Sequence, residues 1–296
     1  MKKEDYPSLF RASDKVSIDS QKNYILLFLA EISFVLFGAC MSIYNFSLEN
    51  SKLIVYVISG VLFLFGIIIS IIQKVMRYDN LWYQGRALAE SCKTITWRYI
   101  SCSEEFNINV DDNTSRKIFL NKIDKLSKEF EFLNKHLDKT LLVEPNITGT
   151  MANIRSKNLS ERKEYYLKER IEDQKKWYSK NAKKNKDRSN LWFTLNIISH
   201  VVTIICIGYL IFNPKSNWNF VGLFTTISTS IIAWVQLKQY QNLNQSYSTA
   251  SIELNLISDL GQSILLEEEF SKYVLDSENA ISREHTTWLA QTRKTD

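Results

Sequence analysis

The chain has 296 residues, enough for two ordinary domains, with 37 Lys and Arg against 32 Asp and Glu and a formal net charge of +5. Its four cysteines include no CxxC pair, so neither a disulfide framework nor a zinc knuckle is supported. The unremarkable average composition hides a sharp segregation of apolar from polar residues.

Residues 1–23 are polar. The first apolar window follows, Tyr24–Phe46, and a second, Leu53–Ile72, begins after the turn "SLENSK". Two more, Leu191–Phe212 and Phe220–Leu237, flank the turn "NPKSNW". Each window is close to the ~20 residues with which a helix crosses ~30 Å of hydrocarbon. Four such runs in two close pairs are hard to bury in a soluble core, so the expected fold is an all-α integral membrane protein with two transmembrane hairpins. The first run is not expected to be a secretory signal, because it lacks a small-residue cleavage site and a second span follows at once.

Basic residues give the orientation. Only Lys52 and Lys215 lie in the two short turns, and the other Lys and Arg lie in the two tails and the long middle segment. Basic residues near span ends stay on the cytoplasmic side. Both termini and the middle are therefore expected in the cytoplasm, with both turns outside.

After the first hairpin, Leu81, Ala87, Leu88, Ser91, Cys92 and Ile95 recur at helical spacing within 73–100, as if the second span continued into the cytoplasm. Along this helix lie Tyr78, Arg86, Glu90 and Lys93. Arg86 and Glu90 form an i,i+4 pair worth only ~0.2–0.5 kcal/mol if exposed. A second amphipathic stretch covers 115–139, with Ile118, Ile123, Leu126, Phe130 and Leu133 as its apolar stripe. Residues 144–158 hold a Pro and a Gly but no periodicity, and read as a linker between units 1–143 and 159–296. The second unit repeats the plan: a helical stretch at 161–188, two spans, then helices over 238–260 and 265–290, the last with an acidic start at Glu267–Glu269. "YDNL" at 78–81 and "YQNL" at 240–243 stand at equivalent places after the two hairpins.

These surroundings resemble a known family. "LWYQGRALAESCKTITWRY" after the first hairpin is similar to one branch of the SLATT superfamily, the two-transmembrane effector domains of bacterial conflict systems. "RIEDQKKWYSKNAKKNKDRSNLW", "YSTASIELNLI" and "EEEFSKYVLDSENAISREHTTWL" resemble a second branch. Together they cover about residues 10–140 and 155–293. The resemblance implies a membrane effector of the bacterial inner membrane in antiphage defence, one that forms a pore or disrupts the membrane when triggered. It also implies a separate trigger, a nucleotide second messenger or a sensor protein encoded nearby, since no fused sensor is visible. It brings no catalytic residues with it.

Candidate residues follow from cost. Glu31 lies about seven residues inside the first span, on the order of 10 Å deep. An uncompensated carboxylate there costs ~2.5–3.5 kcal/mol or more. His200 lies at comparable depth in the third span. The pair suggests a shared water-filled path or a direct hydrogen bond between hairpins; the plainer alternatives are a stabilising polar contact or snorkelling. In the fourth span, Gly222, Thr226 and Ser230 share one face, with Thr225 and Thr229 beside it, fitting either close helix packing or a narrow pore lining. Lys175, Lys176, Lys183, Lys184, Lys186 and Arg188 crowd the approach to the third span and are candidate contacts for anionic lipid headgroups. Nucleic acid is not expected there, because the positive-inside bias already accounts for the cluster. Trp192, Trp218 and Trp234 sit near span ends, as interfacial aromatics do.

Enzymatic chemistry is not expected. The three histidines (His136, His200, His285) are far apart, and GxGxxG, P-loop, HExxH and GxSxG motifs are absent. "SREHTTW", with Arg283, Glu284 and His285, spreads its polar side chains around a helix. No cofactor or metal is expected. The expected partners are the lipid bilayer and further copies of the chain, since four spans enclose too little for a roomy pore. The alternative is a membrane-anchored helical scaffold or sensor without conduction. A small-solute transporter is disfavoured by the lack of proline-broken spans.

Overall fold

The computed structural model describes residues 1–44 and 49–293, with side chains for all of these except 49, 50 and 283–293. The end of the first predicted span and the start of the first turn therefore lie outside the described residues, as do the side chains of Arg283, Glu284 and His285. Among the described residues the fold is all-α, with four helices long and apolar enough to cross a membrane. It divides into two compact units, each assembled from both halves of the sequence.

One unit comprises residues 22–78 and 183–244. It holds the apolar part of α1 (Ser8–Met41), α2 (Glu49–Met76), the later part of α8 (Asp173–Phe212) and α9 (Val221–Lys238). Only 6% of each apolar window is buried within the protein. The side chains of Leu53, Ile54, Ile67, Ile204, Ile205 and Phe212 point outward, as in a multi-pass membrane protein whose solvent is lipid. The first hairpin packs closely at Gly38, where an added Cβ would come 3.1 Å from the Phe63 ring. The hairpins touch through the Asn219 N–H, which donates to the Ile43 carbonyl at 2.6 Å. Tyr44 and Trp218 meet there edge-to-face at 4.7 Å. Phe28 and Trp234 meet at 6.3 Å.

The other unit comprises residues 1–21, 79–182 and 245–296. The polar N-terminal stretch is mostly helical, because α1 begins at Ser8 and buries Leu9, Phe10, Ala12 and Val16 before the apolar window starts. α3 (Tyr78–Ile100) runs through the core and buries Leu81, Ala87, Leu88 and Cys92 of its predicted stripe, together with Trp97 and Tyr99. Small residues bring α1 and α3 together. A Cβ on Gly85 would lie 3.1 Å from both the Ser13 carbonyl and the Ser17 amide.

The predicted helix over 115–139 is shorter. α4 (Asp112–Glu129) is N-capped by Asp111, which accepts the Thr114 N–H at 3.1 Å, and it stops at Phe130. Its buried face runs through Ser115, Phe119 and Ile123, so Phe119 takes the core place expected of Ile118. Beyond it come the single-turn α5 (Lys139–Leu142) and α6 (Gly149–Arg155), the latter within the stretch read as a linker and burying Met151, Ile154 and Arg155. α7 (Leu159–Tyr166) opens with a reciprocal Asn158–Glu161 capping box. A π-helical turn, Leu167–Glu172, leads into α8.

The expected continuation of the second span is interrupted. Arg77, between α2 and α3, has φ 47°. Gln239, between α9 and α10 (Tyr240–Gln262), has φ 48°. Each left-handed residue directly precedes one copy of the repeated tetrapeptide, so the internal repeat carries the same backbone break in both halves. α11 (Glu267–Arg293) completes the second unit.

Three arginines hold this core. Arg155 donates to the Tyr99 and Phe106 carbonyls at 2.8 and 2.9 Å and to Ser115 Oγ at 2.8 Å. Arg162 reaches the Lys157 and Ser101 carbonyls at 2.9 and 3.0 Å and pairs with Glu267. Arg170 is bidentate on Glu278 at 2.9 and 2.8 Å, and Tyr166 Oη donates to the same carboxylate at 3.0 Å. Buried charges persist only when paired in this way.

Candidate functional site

In the membrane unit Glu31 and His200 each find their partners within a single hairpin. Glu31 on α1 accepts from Ser70 Oγ at 2.5 Å and from Gln73 Nε2 at 2.7 Å, both on α2. The carboxylate therefore clamps the first hairpin from within. Ser70 also donates to the Gly66 carbonyl at 3.2 Å.

The second hairpin has its own cluster. Ser228 on α9 is buried, lies 3.0 Å from His200 Nε2 and donates to Asn196 Oδ1 at 2.7 Å. Ser199 donates to the Phe224 carbonyl at 2.8 Å. The contacts of Glu31 and His200 thus run inside separate hairpins, in place of a hydrogen bond between them. The two sites differ in one respect: the His200 ring is exposed on the face of its helix, whereas Glu31 is half-buried.

Thr225, Thr226, Thr229 and Ser230 of the fourth span bond to their own backbone. Thr226 donates to the Gly222 carbonyl and Ser230 to the Thr226 carbonyl, each at 2.7 Å. Such i−4 bonds satisfy a hydroxyl in an apolar medium without a second helix. Gly222 faces the first hairpin, where a Cβ would come 4.0 Å from Ser42 Oγ. Ser228, two residues from Thr226, lies off the Gly222–Thr226–Ser230 face and is the buried contact. Sequence reasoning missed it, together with Ser70, Gln73 and Asn196. The signal of Ser70, Asn196 and Ser228 was polarity inside an apolar window, and Gln73 lies one residue beyond one.

Near the other end of the spans, Trp192 and Trp234 meet at 6.1 Å with their rings tilted by 58°, and both indole N–H groups are buried and without partners. Lys238 Nζ lies 4.9 Å over the Trp234 ring. At the turn end, a cavity of about 490 Å³ lies between the hairpins, lined by Ile43, Tyr44, Lys52, Tyr56, Asn217 and Asn219 among others.

All six candidate headgroup contacts lie on α8. Lys176, Lys183, Lys184, Lys186 and Arg188 are exposed, whereas Lys175 is half-buried and pairs with Glu172. Glu90, whose i,i+4 pair with Arg86 would count for little if exposed, is buried and bound by Arg86 at 2.7 Å. Burial pushes the Cys92 thiol up, away from reactivity. Among the described residues no group of His, Cys, Asp and Glu forms a metal-ligand set.

Comparison with known proteins adds the family. Residues 7–163 match the SMODS and SLOG-associating 2TM effector domain 3, and residues 166–288 match the SMODS and SLOG-associating 2TM effector domain 1. No curated protein and no solved structure matches the chain. Effector domains of this kind are associated with antiphage and other conflict systems. The first match alone covers more than half of the 296 residues, so the chain belongs to the SLATT effector family and carries two of its branches in tandem.

Proposed function

We propose that the protein is a membrane effector of a bacterial conflict system that assembles into a ring in the inner membrane and, when triggered, opens a path through it. Both termini and the long helical body face the cytoplasm in this reading, because 35 of the 37 basic residues lie outside the two turns. The trigger is a nucleotide signal or a partner protein. The reading assigns the chain no catalytic step.

The observation that carries it is His200. An imidazole exposed near the middle of a span is costly against lipid and is relieved by water or by a neighbouring copy. A ring of chains with the α8–α9 face inward supplies both. Expression with the activating partner then collapses membrane potential, read with a potential-sensitive dye. His200→Leu abolishes the collapse while leaving membrane insertion intact. Toxicity with unchanged potential, or a His200→Leu chain that depolarises like the original, refutes the conduction step.

A second reading, an anchored scaffold without conduction, is favoured by the exposed stripe Ile252, Leu256 and Leu260 on α10. It predicts that Glu31→Leu and His200→Leu are both tolerated.

A further inference from the structure

The helical body contains a cavity of about 230 Å³ between the start of α1, the middle of α3 and the π-helical turn before α8. Its wall combines the rings of Tyr6, Phe10 and Trp97 with the cationic side chains of Lys93 and Arg170. Arg170 is 1% exposed. Its Nε and Nη2 are used by Glu278, while Nη1 is buried and has no hydrogen-bond partner. A buried guanidinium nitrogen with two idle N–H groups calls for an acceptor. The π-helical turn is what presents Arg170 here, and such turns recur at functional sites.

Lys93 on α3 lines the same space and is partly buried. Desolvation pushes its ammonium below the ordinary lysine range; Glu90 opposes the shift and Arg170 adds to it. An anion in the cavity would satisfy both cations at once.

We propose that this cavity binds the phosphate group of a small organic phosphate, with Arg170 Nη1 and Lys93 holding the oxygens and the aromatic wall taking the apolar part. Arginine and lysine converging on one small space is the arrangement that recognises a phosphate. The volume is below the ~300–1,000 Å³ of ordinary ligand pockets, which limits the occupant to one phosphate and a compact remainder. Glu169 and Asp173 also line the cavity and disfavour a polyphosphate or a nucleic acid. Lys3, the remaining cation of the wall's side chains, is held by Asp14 at 2.5 Å. The site lies wholly in the helical body and needs no conduction, so it stands or falls separately from the effector reading.

The test is calorimetric titration of the full chain in detergent with inorganic phosphate, phenyl phosphate and phenol. Saturable binding of phenyl phosphate, with no binding of phenol, is expected. Weaker binding of inorganic phosphate assigns the site to an organic phosphate, and equal binding assigns it to the free anion. Lys93→Gln weakens phosphate-dependent binding at least tenfold, whereas Lys135→Gln, an exposed lysine elsewhere, leaves it unchanged. Lys93 is at the cavity and not in the Arg170–Glu278 pair, so the folded helix content of this variant is checked by circular dichroism and should match the parent. Failure of both phosphates to bind the unaltered chain, or parental affinity in Lys93→Gln, overturns the proposal.

Discussion

Replacing Glu278 tests what holds the helical body together. Its carboxylate is 0% exposed and accepts three hydrogen bonds, from Tyr166 Oη and from Arg170 Nε and Nη2. Glu278→Leu removes the acceptor of all three bonds and leaves the Arg170 guanidinium charged, buried and unpaired. Breaking one side of such a pair costs about 3–5 kcal/mol. For a unit of this size each kcal/mol lowers the midpoint by ~2–4 °C, so the helical body should melt about 6–20 °C earlier. The double variant Arg170→Met/Glu278→Leu removes both charges and should recover most of that loss, because a well-packed apolar replacement of a buried ion pair is often neutral. Near-ultraviolet circular dichroism suits the measurement, since the Arg170 guanidinium lies 5.9 Å over the Trp97 ring and loss of the pair frees that indole. The cycle Arg170→Met, Glu278→Leu and double yields the coupling directly. Additive losses, or a Glu278→Leu chain within ~1 kcal/mol of the parent, would show that the pair is not what orders this core.

Four further substitutions follow from local geometry. Gly85→Ala drives a Cβ to 3.1 Å from the backbone of Ser13 and Ser17, atoms that cannot rotate away, and should cost ~1–3 kcal/mol on thermal unfolding; an unchanged midpoint would mean that α1 and α3 separate freely. Gln239→Gly relieves ~1–2 kcal/mol of left-handed strain and gives back ~0.4–1 kcal/mol of unfolded-chain entropy, so the midpoint should hold or rise slightly, and Arg77→Gly should behave alike. Asp138 is held well below the usual carboxylate range by the Lys15 ammonium first and by the Thr140 hydroxyl and N–H. Its folded value is depressed, so its contribution is present above the ordinary value near ~4 and lost as pH falls below it. The stability gap between the parent and Asp138→Asn should therefore be widest near neutrality and close with acidification; a gap constant between pH 7 and 3 contradicts the assignment.

The membrane fold was legible because lipid demands it residue by residue: a window of twenty apolar side chains has few other uses. The helix breaks were not. Arg77 and Gln239 adopt positive φ without a Gly or Pro to announce it, and only the repeated tetrapeptide beside each gave a sign. The hydroxyl ladder of α9 was visible as Gly222, Thr226 and Ser230, yet the contact that matters to the hairpin is Ser228, because what decides is which face meets Asn196 and His200. The buried arginines were the least legible. In a stretch as charged as 155–172 each reads as a solvated side chain, and their partners lie far along the sequence: Glu278 is 108 residues from Arg170.

Those long separations bear on what the duplication means. Two tandem copies suggest two independent beads, each with its hairpin and its helices. The structure sorts the chain by polarity instead, placing both hairpins in one compact unit and the polar helices of both copies in the other. Arg162 shows why the copies depend on each other. It binds the Ser101 carbonyl of the first copy and the Glu267 carboxylate of the second from a position 1% exposed. Trp97 does likewise, donating to Tyr6 Oη at 3.0 Å within the first copy while packing on Arg170 and Tyr166 near and beyond the boundary between the two family matches. A single copy would lose these partners and leave the apolar surface around them open to water. The duplicated unit is therefore a half-core, and two of them in one chain make the smallest body in which its buried charges are answered.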